Sequence, residues 1–260
     1  MLDQSRLAGT SLTRRLIVLE VTLLLGLSLG RSGVYALVNL VAAWTAPGSL
    51  SQQQAVMNGS RAPGREWLDL TLQLLAIVFA LVPAAMAAYL LARDGKDLGT
   101  IWYDRRRLGL DTGRGLVVAA AIGGTGLAFY LVTYSLGVDV AVVAENLPHV
   151  WWRFPVLVLA AAQNAVLEEV VVLGYLLTRL DDLGLSQRVA VPVAAVVRGS
   201  YHLYQGLGGF FGNVAMGLVF GWLYHRWGRI APLVVAHTVI DLVAFVGFAL
   251  LAGHVSWLPT

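Results

Sequence analysis

The sequence predicts an all-α, polytopic transmembrane helix bundle, and three observations carry the prediction. The chain is 58% hydrophobic and 13% charged, against about 45–50% apolar and about 25% charged in soluble domains. Mean hydropathy is +0.72. The apolar residues fall in runs of about 20 or more, the length a bilayer crossing needs. They do not alternate with polar ones, which argues against strands. A length of 260 residues suits a single integral membrane domain, 1–260. Cysteine is absent, which excludes disulfides, thiolate metal sites and a Cys nucleophile. The polar start runs into an apolar stretch too long for the core of a cleavable signal.

Taken in order, about seven spans are expected, at 13–46, 67–92, 114–136, 153–180, 188–206, 209–226 and 229–252. The first is overlong and carries Glu20 and Arg31. It is one tilted helix, or two pieces broken near Gly30-Arg31-Ser32-Gly33, which makes eight spans. Pro83 should kink the second, and the sixth is short. Positive charge orients the bundle. One side collects Arg6, Arg14, Arg15, Arg93, Lys96, Arg105 to Arg107, Arg114, Arg179, Arg188, Arg226 and Arg229; the other holds Arg61, Arg65 and Arg153. That asymmetry predicts a cytoplasmic N-terminus and an outside C-terminus. Trp67, Trp102, Tyr103, Trp151, Trp152 and Trp257 fit an interface belt. Gly208-x-x-x-Gly212 and Gly217-x-x-x-Gly221 read as close helix-packing faces. Glu20 and Arg31 read as packing groups, and His149, His225 and His254 as surface residues.

Three of the runs carry polar groups that hydrocarbon disfavours. The fourth holds Asn164 and the adjacent carboxylates Glu168 and Glu169, the fifth Arg198 and His202, the seventh His237 and Asp241. A rise of about 1.5 Å per residue puts all but Asn164 about 12–21 Å from the cytoplasmic ends, in one layer. Arg198 and His202 are spaced i,i+4, as are His237 and Asp241, so each pair shares a helix face. Glu168 and Glu169 diverge by about 100° around their helix. One should face a reaction centre and the other a supporting partner.

In their order these residues resemble the motifs of the CAAX-protease and bacteriocin-processing (CPBP, or Abi) family of intramembrane proteases. That family shows EExxxR, FxxxH and HxxxN/D on successive helices. Here Glu168-Glu169 opens the first motif, His202 closes the second, and His237 and Asp241 form the third. The resemblance covers about 150–250, the expected catalytic core, while 1–112 matches as generic spans. The motif Arg is Leu173 here, and the motif Phe is Arg198. The two departures suggest compensation, with Arg198 supplying Glu169 with its cation from the neighbouring helix.

The resemblance implies an intramembrane endopeptidase that uses a glutamate-activated water. Glu168 is the candidate base, and His202 would help hold the water. His237 and Asp241 would support the oxyanion. Glu169 completes the catalytic set, with Arg198 and Asn164 supporting. A competing mechanism places Zn²⁺ on His202, His237 and Glu168 or Asp241, a set that would suit a hydrolytic zinc, although no HExxH pairing is present. The principal alternative outside catalysis is a membrane scaffold with the same bundle, which Leu173 favours. A proton-coupled transporter would use similar buried groups but shows paired repeats, and none is found. The expected partners are a membrane-associated peptide or protein substrate and the lipid bilayer. Nucleic acid is not expected, since no soluble basic domain is present to bind it. The cysteine-free chain and compact loops lean towards a prokaryotic plasma membrane.

Overall fold

A computed structural model describes residues 13–98 and 104–258. Arg6, Trp102 and Tyr103, named above, lie outside the described residues. The first apolar run forms two helices, α1 (Arg14–Leu27) and α2 (Leu29–Thr45), bent by 54°. The break falls at Ser28, just before the expected stretch. Ser28 leaves helical geometry (φ −132°, ψ −118°), and its Oγ donates to the Leu24 carbonyl at 2.6 Å. Gly30 follows; a Cβ there would stand 2.8 Å from the Leu25 carbonyl oxygen. Glycine and serine together are a recognised cause of sharp kinks.

The second span, Glu66–Arg93, runs as one helix with a one-residue interruption at Leu81, between α3 (Glu66–Ala80) and α4 (Val82–Arg93). Pro83 stands in the first turn of α4, where its missing N–H does least harm and its ring accounts for the interruption. Next come α5 (Leu108–Ser135), α6 (Arg153–Asp182), α7 (Gln187–Ser200), α8 (Leu207–Trp227) and α9 (Ala231–Leu251). The α-helical bundle is as expected. Among the described residues, five helical segments are long and apolar enough to cross a membrane, with α3 and α4 counted together as one, or six if α1 and α2 form one span. The shortfall from seven lies at α7. Its 14 residues extend about 21 Å, less than the roughly 30 Å hydrocarbon core. The apolar run continues to 206, but the helix stops at Ser200. A tight turn follows, and Gly206 reverses the chain at φ +114°, a value that favours glycine.

Two strands correct the expectation of none. β1 (Gln54–Gly59) and β2 (Ala141–Asn146) pair in parallel, Gln54 opposite Ala141 and Gly59 opposite Asn146. They occupy connections after α2 and after α5, outside the apolar runs on which the absence of alternation was judged.

The core gathers around the second half of α6. Val171, Val172, Leu173, Tyr175 and Leu176 are buried there against Ala87 and Leu91 of α4, Phe220 of α8 and Ala236 of α9. A second cluster joins Trp152 and Leu157 to Phe245 and β2. Trp152 is therefore core rather than interface, whereas Trp67, Trp151 and Trp257 are exposed as a belt requires.

Several cations read as topology signals are buried in ion pairs. Arg179 meets Glu20 at 2.7 Å, Asp94 at 2.6 Å and Asp182 at 3.1 Å. Arg229 meets Asp111 at 2.7 Å, and Arg153 pairs with Glu145. Their arginine stems reach inward past the helix ends, and the carboxylates they meet satisfy charges that hydrocarbon would not. Glu20 thus packs as expected. His149 and His254 are exposed, but His225 is half-buried, with its Nε2 shielded from solvent.

Candidate active site

α6, α7 and α9 bring the sequence-predicted groups together. Small residues make the approach possible. A Cβ on Gly217 of α8 would stand 2.9 Å from the Ala195 Cα of α7 and 3.4 Å from the Arg198 Cδ. A Cβ on Gly221 would stand 2.7 Å from Val191. α7 therefore lies directly on α8, and Arg198 runs through the gap with its guanidinium 5.3 Å from the Phe220 ring centre. The Gly217–Gly221 face packs helix on helix, as expected. Gly208 lies close against Thr133 of α5 and against Asp139 in the connection after it, while Gly212 leaves ordinary contact with Phe129.

Arg198 and Glu169 are both fully buried. Arg198 donates to both Glu169 oxygens, Nη1 to Oε2 at 3.4 Å and Nη2 to Oε1. The positive partner that position 173 lacks thus arrives from α7. Leu173 itself is buried among apolar neighbours. His237 adds a third contact, Nδ1 to Glu169 Oε1 at 2.7 Å. A carboxylate only accepts, so Nδ1 carries the proton there. The neighbouring Arg198 Nη2 to His237 Nδ1 contact at 3.3 Å then joins two donors and is not a hydrogen bond.

Glu168 points elsewhere, as the divergence around the helix requires. Its Oε2 accepts from the Tyr201 hydroxyl at 2.8 Å and from Arg198 Nη2 at 3.3 Å. Its Oε1 has no partner among the described residues. Its side chain keeps 12% exposure against 0% for Glu169. Of the two carboxylates, Glu168 is the one that keeps an open oxygen and some exposure.

On α9, His237 Nε2 faces Asp241 Oδ1 at 3.6 Å, longer than a hydrogen bond. Asn164, one turn before Glu168, donates to Asp241 Oδ2 at 3.2 Å. His202 corrects the expectation of a helical i,i+4 face shared with Arg198. It lies in the turn after α7, where its Nδ1 donates to the Arg198 carbonyl at 3.1 Å. Its ring lies beside Tyr201, centroids 4.7 Å apart. Nδ1 being the donor, Nε2 keeps its lone pair in the neutral ring. No hydrogen bond joins His202 to Glu168, His237 or Asp241 among the described residues.

Two features escaped the sequence reading. One is Tyr201, whose signal was a hydroxyl beside His202 at the depth of Glu168. The other is the widening of α6 into a π-type turn over Glu169–Leu176, a form found often at functional sites. As for zinc, no three His, Asp or Glu side chains are grouped to hold a metal among the described residues. His202, His237 and Glu168 are thus not assembled as a ligand set in this conformation.

No curated protein and no solved structure matches the chain significantly. A family model does, over residues 150–243, a little over a third of the chain. That stretch holds every residue of the cluster from Asn164 to Asp241. Residues 150–243 carry the pattern of the Rce1-like family, described as type II CAAX prenyl endopeptidase Rce1-like, in keeping with the motifs in the sequence.

Proposed function

We propose that the protein is an intramembrane endopeptidase in which Glu168 activates the water that hydrolyses a peptide bond. The observation that carries this reading is the division of labour between the two carboxylates. Glu169 is locked by Arg198 and His237. Glu168 is fixed through one oxygen by Tyr201 and Arg198, and its other oxygen is left for water. Glu168 takes a proton as water attacks the carbonyl carbon, and delivers it to the departing amine as the C–N bond breaks. Nε2 of His202 accepts a second hydrogen bond from that water. The oxyanion is met by the free amide hydrogen of Asn164 and, when both ring nitrogens carry protons, by Nε2–H of His237. Asp241 orients Asn164, and Glu169 orients His237. The substrate is a membrane-associated peptide or protein, and the Lys and Arg asymmetry supports a cytoplasmic N-terminus.

The scaffold reading rests on Leu173 at the motif Arg. The pairing of Arg198 with Glu169 weakens it, because the charge lost at one position is present at the other. The test is cleavage of a membrane-peptide library by purified protein in detergent, wild type against Glu168→Ala, with and without chelator. Cleavage that persists in chelator and disappears in Glu168→Ala supports the reading. Loss in chelator moves the mechanism to a metal. Absence of cleavage by well-folded wild type favours the scaffold.

A further inference from the structure

Asp139, in the connection between α5 and β2, is a carboxylate with 0% exposure. Among the described residues no Lys or Arg pairs with it, and its oxygens are met by hydrogen bonds instead. The Gly208 N–H of α8 donates to Oδ1 at 2.7 Å, and the Thr133 hydroxyl of α5 donates to Oδ2. Gly208 stands second in α8, whose N-cap is Gly206. A glycine has no side chain with which to accept from the first turn. Asp139 therefore supplies that cap from 69 residues earlier in the chain, at a helix end that favours negative charge. The fit is close on the α8 side. A Cβ on Gly206 would stand 2.7 Å from the Asp139 Cα, and one on Gly208 2.6 Å from Thr133 Oγ1.

The backbone carries this anchor to the turn that bears His202. Asp139 bridges Gly206 in antiparallel register. The Val140 N–H donates to the Gln205 carbonyl at 3.1 Å, and the Gln205 N–H to the His202 carbonyl at 3.0 Å. The anchoring segment is itself fixed to α5, where the Tyr130 hydroxyl accepts from the Val142 N–H at 2.9 Å. His202 is thus held from two sides, its carbonyl through Gln205 and its Nδ1 by the Arg198 carbonyl of α7 at 3.1 Å. We propose that Asp139 is a positioning residue for His202: by capping α8 and fixing the turn, it keeps the ring bonded to α7 with Nε2 turned to the site. The proposal rests on the reading of His202 as a residue that holds the water. It extends the site to a carboxylate that lies before the stretch 150–243 matched by the family model.

The experiment reads His202 directly, by nitrogen NMR of the histidine-labelled full chain in detergent, with its signals assigned through His202→Gln. The tautomer of a neutral ring is set by the hydrogen bond it makes, so wild type is expected to carry the proton on Nδ1. Asp139→Ala should mix the two tautomers. Asp139→Asn keeps an oxygen for the Gly208 N–H and should retain more of the Nδ1 form. Thr133→Val takes the donor from Oδ2 and should give the same change to a smaller extent; it decides the case if Asp139→Ala does not fold. An Nδ1 form undiminished in folded Asp139→Ala, or in Thr133→Val in its place, overturns the proposal, as does a wild-type ring protonated on Nε2. In peptide cleavage, kcat of Asp139→Ala should fall about 10–100-fold with KM little changed, the cost of a displaced group. The same substitution in a His202→Ala background should cost nothing further, and effects that multiply overturn the proposal. Absence of cleavage by wild type counts against the hydrolytic reading alone, and the tautomer then decides on Asp139.

Discussion

Moving the buried cation back to the motif position tests the Glu169–Arg198 pair directly. Arg198→Phe removes a fully buried guanidinium from a fully buried carboxylate. Breaking such a pair by deleting one partner is worth about 3–5 kcal/mol, because the remaining charge is uncompensated. His237 still donates to Glu169 at 2.7 Å, which sets the expectation at the lower end, about 3 kcal/mol. Leu173→Arg alone forces a second cation into apolar surroundings and should also destabilise. In the double variant, the guanidinium introduced by Leu173→Arg lies one turn beyond Glu169 on its own helix, where i,i+4 side chains meet. The phenyl ring introduced by Arg198→Phe fills the gap above Gly217.

The assay is reversible unfolding by SDS in mixed micelles for wild type, both single variants and the double. A coupling of about 1–3 kcal/mol in the recovering direction is expected. Polar contacts between membrane helices average only about 0.6 kcal/mol, since the unfolded state in the membrane finds other partners. A loss near that value for Arg198→Phe, with single effects that add, refutes the compensation. The exchange Glu169→Arg with Arg198→Glu is a second route, and recovery there should be smaller because His237 then faces a cation.

Tyr201→Phe deletes the hydroxyl that donates to Glu168 at 2.8 Å. A bond to a charged group is worth about 1.5–3 kcal/mol, so kcat should fall about 10–150-fold with KM little changed, as read by steady-state peptide cleavage. Gly217→Ala sets a Cβ 2.9 Å from the Ala195 backbone. The separation of α7 from α8 should remove about 1–3 kcal/mol of stability in the SDS assay. Arg179→Met removes the cation that Glu20, Asp94 and Asp182 share, while Arg93 and Lys96 stay paired with them. Stability should fall by about 1.5–3 kcal/mol, while cleavage per folded molecule, measured after removal of aggregated protein, stays near wild type.

The contrast between Arg198 and His202 explains how far the sequence could be read. Both were placed on one helical face by their spacing. Arg198 is where that spacing puts it, because α7 is still helical at that residue and the glycines of α8 let it lie close. His202 is not, because the helix ends at Ser200 and hydropathy does not mark such an end inside an apolar run. The break at Ser28 was legible, because Gly30-Arg31-Ser32-Gly33 marked a place two residues further on where the first run could part. The convergence of the three runs survived the error at His202. Depth depends on residue count along each run, and a local turn shifts it by a few ångströms, less than the spread already present among the six groups. Which oxygen of which carboxylate stays free depends on contacts between helices far apart in sequence. Tyr201 and Arg198 meet Glu168 across about 30 residues of chain, and His237 meets Glu169 across 68. Those contacts, rather than the motif residues themselves, distinguish the carboxylate that keeps an open oxygen from the one that is fully paired.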